Sequence, residues 1–219
     1  MRVVVTGSGR GIGLELVKRL HARGDSVLGT MRAPGEGPGP GQWDVLDVTD
    51  AASVAALSSA HPEPLDLLVC NAGVYLDKLN DLDTGFPPEM WAHSFAVNVT
   101  GVFLCVQAFL PQLRAAPASK IAIIGSQMGS DTRAPGGSFI YRASKAAALN
   151  LGRNLAAELR PEGIAVGIYH PGWVQTDMGG TAADLTVADS ATGLIQRFDD
   201  LTLEATGRFL CWDGRDHPY

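Results

Sequence analysis

A chain of 219 residues with 46% hydrophobic and 18% charged residues carries enough apolar material for one α/β domain whose sheet is covered on both faces. Its net charge of −6 argues against a general nucleic-acid or membrane-surface binder, which needs a basic stripe. Cys70, Cys105 and Cys211 sit in apolar stretches without metal-ligand spacing and read as buried thiols; with neither a signal peptide nor an apolar run that spans a bilayer, the expected compartment is the cytoplasm.

Residues 2–6, RVVVT, are β-branched and predict a buried strand. Gly7-Ser8-Gly9-Arg10-Gly11-Ile12-Gly13 follows at once, and LELVKRLHARG then predicts an amphipathic helix ending at Gly24. Strand, glycine turn and helix start in that order are what a phosphate-binding turn needs, because the helix N-terminus offers free N–H groups and a positive dipole end. SVLGTM at 26–31 predicts the second strand, where an acid would hold an adenosine 2′-hydroxyl. Here Arg32 follows Met31, and Arg10 lies in the turn; two guanidinium groups without a carboxylate favour a 2′-phosphate, hence NADP(H) over a still usable NAD(H).

APGEGPGPG at 33–41 cannot be helical, so the usual connecting helix is replaced by a loop. QWDVLDV predicts a strand ending at Asp47, with Thr49 or Asp50 capping a helix through Ala60. Asp47 has two readings, an acceptor for the adenine amino group or a turn carboxylate. PLDLLVC at 64–70 predicts a central strand; the Asn71 amide then ties the turn to its neighbour, while Ala72 and Gly73 are small enough to let a ribose pass.

Two helical stretches are expected within 87–114, with Asn98 in the apolar run leading into the second, where a lone Asn reads first as a satisfied core group. KIAIIG at 120–125 predicts a strand with Ser126 at its C-terminal end, where open α/β sheets place their chemistry. Tyr141-Arg-Ala-Ser-Lys145 opens a helix stopped by Pro161 and Gly163; spacing of four puts both side chains on one face, and the ammonium is expected to draw the phenol pKa from about 10 towards neutrality. After the strand IAVGIY at 164–169, Pro171 and Gly172 fix a turn, and His170 reads as structural rather than catalytic. A helix at 187–198 and the strand TGRFLCW complete one doubly wound parallel sheet over 1–219, without repeats.

Thr6-Gly-x-x-x-Gly-x-Gly13, Asn71-Ala-Gly73, Asn98, Ser126, Tyr141-x-x-x-Lys145 and Pro171-Gly172, in that order, resemble the short-chain dehydrogenase/reductase family. Tyr-Arg-x-Ser-Lys, PGWVQTDMGG and the ending GRFLCWDGRDHPY are similar to its C-factor/sniffer branch of carbonyl reductases, which also includes a developmental signalling protein. The resemblance implies a Rossmann fold and reversible reduction of a ketone or aldehyde to an alcohol by a nicotinamide hydride. Tyr141 would protonate the carbonyl oxygen and Ser126 would orient it. Lys145 would bind the nicotinamide ribose and lower the Tyr141 pKa, and Asn98 would hold a water linking Lys145 to solvent. It further implies cofactor contacts from Gly7, Ser8, Arg10, Gly11, Ile12 and Asn71, with Asp47 and Val48 flanking adenine and Val174 and Thr176 meeting the carboxamide and phosphates.

Cys70 departs from the family's common Asn, Ser126 and Tyr141 stand slightly far apart, and the segment after Thr176 is short enough for only a small lid. Phe139, Trp173 and Met178, with Gln127 and Met128, are the expected walls of a carbonyl pocket. Helices 98–114 and 141–159 are apolar or small-sided around much of their circumference, and the resemblance implies a homodimer or homotetramer through them. A dinucleotide-binding signalling protein with little turnover is the rival reading. An epimerase, a dehydratase or a halohydrin dehalogenase fits poorly, the first two because too little chain remains after Thr176 for their substrate domain.

Overall fold

The computed structural model describes all residues 1–219. Seven strands, β1 (Arg2–Val5), β2 (Ser26–Met31), β3 (Gln42–Val45), β4 (Leu67–Cys70), β5 (Lys120–Ile124), β6 (Ala165–His170) and β7 (Phe209–Cys211), form one sheet. Its order is β3-β2-β1-β4-β5-β6-β7, with every neighbouring pair parallel. The helices are α1 (Gly11–Ala22), α2 (Ala51–Ala60), α3 (Pro88–Phe95), α4 (Gly101–Ala115), α5 (Phe139–Leu159) and α6 (Val187–Asp200).

Alternation along the strands divides the core. Val3, Val5, Leu67, Val69, Ala122 and Tyr169 face α1 and α6, where Leu16, Leu20, Leu194 and Phe198 are buried. Val4, Leu68, Cys70, Ile121, Ile123 and Val166 face the other layer and meet Val54, Val106, Phe109 and Leu159. Each such side chain contributes about 1.5–3 kcal/mol on burial, so both runs of strand residues are near-continuously apolar, as a doubly covered parallel sheet requires. The strand order reverses between β1 and β4, and the crevice outside their carboxyl ends is where such sheets take ligands.

The missing connection after β2 is filled by a side chain. The Trp43 indole lies against Gly29 and Gly37, leaving no room for a methyl at either, and its Nε1–H donates to the Gly39 carbonyl at 2.8 Å. Asp50 caps α2 by accepting from the Ala52 N–H at 2.9 Å.

Two expectations are corrected. The stretches within 87–114 are one continuous helix, because a π turn over Ala96–Thr100 joins α3 to α4 without a break. That 28-residue helix, Pro88–Ala115, is long and apolar enough by length and composition to cross a bilayer, contrary to the sequence reading. Here its apolar side, Val97, Val102, Cys105, Val106, Phe109 and Leu113, packs on the sheet.

Candidate active site

The turn after β1 is built before it can bind anything. Ser8 is fully buried: its N–H donates to the Thr30 carbonyl at 2.8 Å, and its Oγ accepts from the Thr30 N–H at 2.8 Å while lying 2.9 Å from the Val5 carbonyl. Ser8 therefore holds the turn to β2 rather than lining the cleft, a correction to its expected role as a contact. Gly7 has φ +64, and a Cβ there would lie 2.7 Å from the Ala72 Cα; one at Gly13 would lie 2.5 Å from the Asn71 amide nitrogen. That amide donates to the Thr6 and Gly7 carbonyls at 2.9 and 3.0 Å, the tie expected of it. Thr6, which opens the glycine motif, completes the joint by accepting from the Asn71 and Ala72 N–H groups at 3.0 and 3.1 Å.

No side chain caps α1, and its first turn carries no acid. Its leading N–H groups are therefore available to an anion, and Ile12 lies in this turn. A Cβ at Gly11 would meet the Thr176 methyl at 3.4 Å, so Thr176 closes the far side of the same cradle. Val174 is buried, and Pro171 accepts from the Ser190 hydroxyl at 2.7 Å, fixing the turn after β6. Arg10 reaches across to Asp177 at 2.7 Å, with both side chains about three-quarters exposed (77% and 74%).

At the adenosine end, Asp47 accepts from the Thr49 hydroxyl and N–H at 2.7 and 2.9 Å. These bonds, with a smaller contribution from nearby Arg32, hold its carboxyl below the usual range. The turn reading of Asp47 is thus fulfilled. Val48, expected beside adenine, is buried against Gly101.

At the other end, Asn98, Ser126, Tyr141 and Lys145 come together in the structure, all under 10% exposed. Asn98 lies in the π turn. Its Oδ1 accepts from the Val74 N–H, and its Nδ2 donates to the Val74 carbonyl and to Ser144 Oγ, each at 2.9 Å. Ser144, the Ser of Tyr-Arg-x-Ser-Lys, passes the chain on to the Tyr141 carbonyl at 2.8 Å. The Asn98 side chain is thus spent as a strut between the loop after β4 and α5. Ser126 Oγ accepts from the Met128 N–H at 3.1 Å. Lys145 Nζ donates to the Ile124 carbonyl at 2.9 Å and stands 5.8 Å from the Tyr141 ring centroid. A methyl at Gly73 would lie 3.3 Å from Asn98 Oδ1 and 3.6 Å from Lys145 Nζ, so the absence of a Cβ keeps the floor of the site open.

The expected depression of the Tyr141 pKa is overturned. Burial pushes the phenol up to about 12, Ser126 opposing and Tyr75 adding to the rise, while burial brings Lys145 down to about 8. Spacing of four sets the two groups on one face, but burial there desolvates both, and desolvation is the largest cause of each shift. His170 ends β6, its ring edge-on to His217 with centroids 5.8 Å apart, and burial lowers its pKa to about 4, which suits the structural reading. Phe139, Trp173 and Met178 are each more than a third exposed.

An open parallel sheet with an uncapped glycine turn at its switch point and a buried Tyr/Lys/Ser/Asn group beside it defines a dinucleotide-dependent oxidoreductase class. The short chain dehydrogenase family profile matches residues 1–185. C-signal of Myxococcus xanthus is 40% identical over 159 residues, 71% of this chain and 93% of that protein. The NADPH-bound carbonyl reductase from chicken fatty liver superposes with a TM-score of 0.90 at 32% identity, over 100% of this chain and 98% of that one. Carbonyl reductase Sniffer of D. melanogaster gives 0.92 at 25% identity, over 100% and 99%. The chain belongs to the short-chain dehydrogenase/reductase family.

Proposed function

We propose that this protein reduces a ketone or aldehyde to an alcohol, reversibly, with NADPH. The observation that carries the reading is the floor at Gly73, where Asn98 and Lys145 meet within 4 Å of one point beside buried Tyr141. The residues present fit the cofactor: uncapped N–H groups at α1 suit a diphosphate, and Arg10 and Arg32 suit a 2′-phosphate. Gly7, Gly11, Ile12, Asn71, Ala72, Gly73, Pro171, Val174 and Thr176 would line the remainder. Bound NADPH supplies a hydride to the carbonyl carbon.

Tyr141, kept protonated by its burial, gives its hydroxyl proton to the carbonyl oxygen, which Ser126 orients by hydrogen bonding. Lys145 holds its proton loosely near neutrality and stabilises the phenolate formed, then passes a proton to it and takes its own replacement from solvent, so that one proton is consumed in each turnover. Asn98 keeps α5 at a fixed distance from the loop after β4. Phe139, Trp173 and Met178 form an apolar, partly open wall, with Gln127 and Met128 beside the reacting carbonyl. Half-exposed Phe103 on α4 supports a homodimer or homotetramer through α4 and α5, which a monomer-only sizing profile would reject. Three free, buried thiols are in keeping with the cytoplasm.

The test is absorbance at 340 nm with NADPH, then NADH, against aryl ketones, diketones and aldehydes. Turnover that prefers NADPH is expected. The likeness to C-signal favours a second reading, a dinucleotide-binding signalling protein with little turnover. NADPH binding with no turnover across the panel, and biological activity surviving in a Ser126→Ala/Tyr141→Phe variant, would establish that reading instead.

A further inference from the structure

The helix that carries Tyr141 begins without a cap of its own. Ser138, the residue before it, adopts φ 50 and ψ 42, the left-handed region that L side chains rarely enter, and its hydroxyl caps nothing. Tyr141 lies in the first turn, whose N–H groups have no intrahelical partner and which frays when unsupported. Support comes from far away in the chain, in the loop after β4. Asp77 is 1% exposed; its carboxylate accepts from the Ile140 N–H at 2.8 Å and from the Tyr141 N–H at 3.2 Å. Two residues earlier, the Tyr75 hydroxyl pairs with Ser138 Oγ, holding the left-handed residue in place. The Tyr75 ring stacks on the Tyr141 ring, with centroids 4.3 Å apart and planes 23° from parallel. A buried carboxylate whose side-chain bonds all go to the backbone of this first turn, and an aromatic ring laid along the phenol, act on the same residue from one three-residue segment.

We propose that Asp77 is a positioning residue for the Tyr141 proton donor, acting through the first-turn N–H groups of α5, with Tyr75 as the surface against which the phenol is seated. The proposal rests on the Tyr141 role given above. It adds that the loop after β4, besides bounding the cofactor cleft, sets where the proton is delivered.

The experiment compares full-length wild type with Asp77→Leu, Asp77→Asn, Tyr75→Leu and Tyr141→Phe. NADPH affinity is read by fluorescence, kcat at saturating NADPH by absorbance, and amide hydrogen exchange in the peptide covering 139–145 by mass spectrometry. Asp77→Leu is expected to lower kcat ~10- to 100-fold with NADPH affinity within ~3-fold, since misplacement of a reacting group by 1 Å costs about that much. Exchange at 139–145 should quicken in the same variant. Asp77→Asn, whose amide oxygen accepts from the same N–H groups, should recover most of the turnover. Tyr75→Leu should lower kcat ~10-fold.

Wild-type kcat in Asp77→Leu, or NADPH binding lost in step with turnover, would overturn the proposal, as would Asp77→Asn no better than Asp77→Leu. If Asp77→Leu fails to fold, wild-type kcat in Tyr75→Leu overturns the seating of the phenol. If wild type turns over no carbonyl compound, the parent reading fails; unchanged exchange in the Asp77 variants is what separately refutes the support of α5.

Discussion

The two ends of the ligand cleft are built on opposite principles. At the end proposed to be catalytic, Asn98, Ser126, Tyr141 and Lys145 are 1%, 7%, 8% and 6% exposed, and the hydrogen bonds that tie Asn98, Tyr141 and Lys145 to their surroundings are buried. At the rim the Arg10–Asp177 pair is 77% and 74% exposed, where an ion pair contributes little and yields readily to a competitor. Chemistry needs reacting atoms fixed to fractions of an ångström, whereas a cofactor that enters and leaves needs contacts that let go.

Changes at the buried end should therefore cost most. Tyr141→Phe is expected to lower kcat by ~10³-fold or more while NADPH still binds, as paired absorbance and fluorescence titrations would show. A smaller loss would mean that the buried end does not carry the proton. Asn98→Leu leaves the Val74 N–H and carbonyl without their partners and takes one of two hydrogen bonds from Ser144 Oγ, so urea unfolding should report a loss of about 3 kcal/mol. Third comes pH. Lys145 has a folded pKa of about 8 against 10.5 for the unfolded chain, so between those values the unfolded state binds the extra proton and stability rises with pH. Tyr141, raised to about 12 from 10.0, reverses this above pH 10. Denaturation series across pH 8–12 should show a maximum near 10, with a rise of about 2 kcal/mol that Lys145→Met abolishes.

Effects at the rim should be smaller and selective. Arg10→Ala should weaken NADPH ~10-fold and leave NADH unchanged, the size of one charge-assisted hydrogen bond. Asp177→Asn should change stability by less than ~0.5 kcal/mol, yet tighten NADPH slightly by releasing Arg10. Equal effects of Arg10→Ala on both cofactors would erase the distinction between the two ends.

Much of this arrangement is legible in the residues themselves. β2 falls on SVLGTM, where the four consecutive residues Val27 to Thr30 are buried, as a doubly covered strand requires. Asn71, Ser126, Tyr141 and Lys145 each follow a strand or open a helix, so topology alone gathers them at one edge. Other features leave no local trace. Asp77 supports a helix 63 residues away, a relation that no spacing encodes. The Tyr141 pKa follows from burial, which a Tyr-x-x-x-Lys pattern does not report. The two stretches within 87–114 read as separate helices because the π turn over Ala96–Thr100 that joins them has no signal of its own in the residues.

That π turn makes the helix Pro88–Ala115 sensitive to the number of its residues rather than to their identity. It holds one residue more than the ladder on either side. Losing any one residue of 96–100 would restore regular winding and leave α3 and α4 close to their present phase, because the π turn is what absorbs the extra residue; the residues inside the turn would move instead. Asn98, in the middle of that turn, would leave Val74. A frame-preserving deletion of a single codon there would therefore dismantle the catalytic floor more thoroughly than most point substitutions, while leaving every remaining side chain chemically intact.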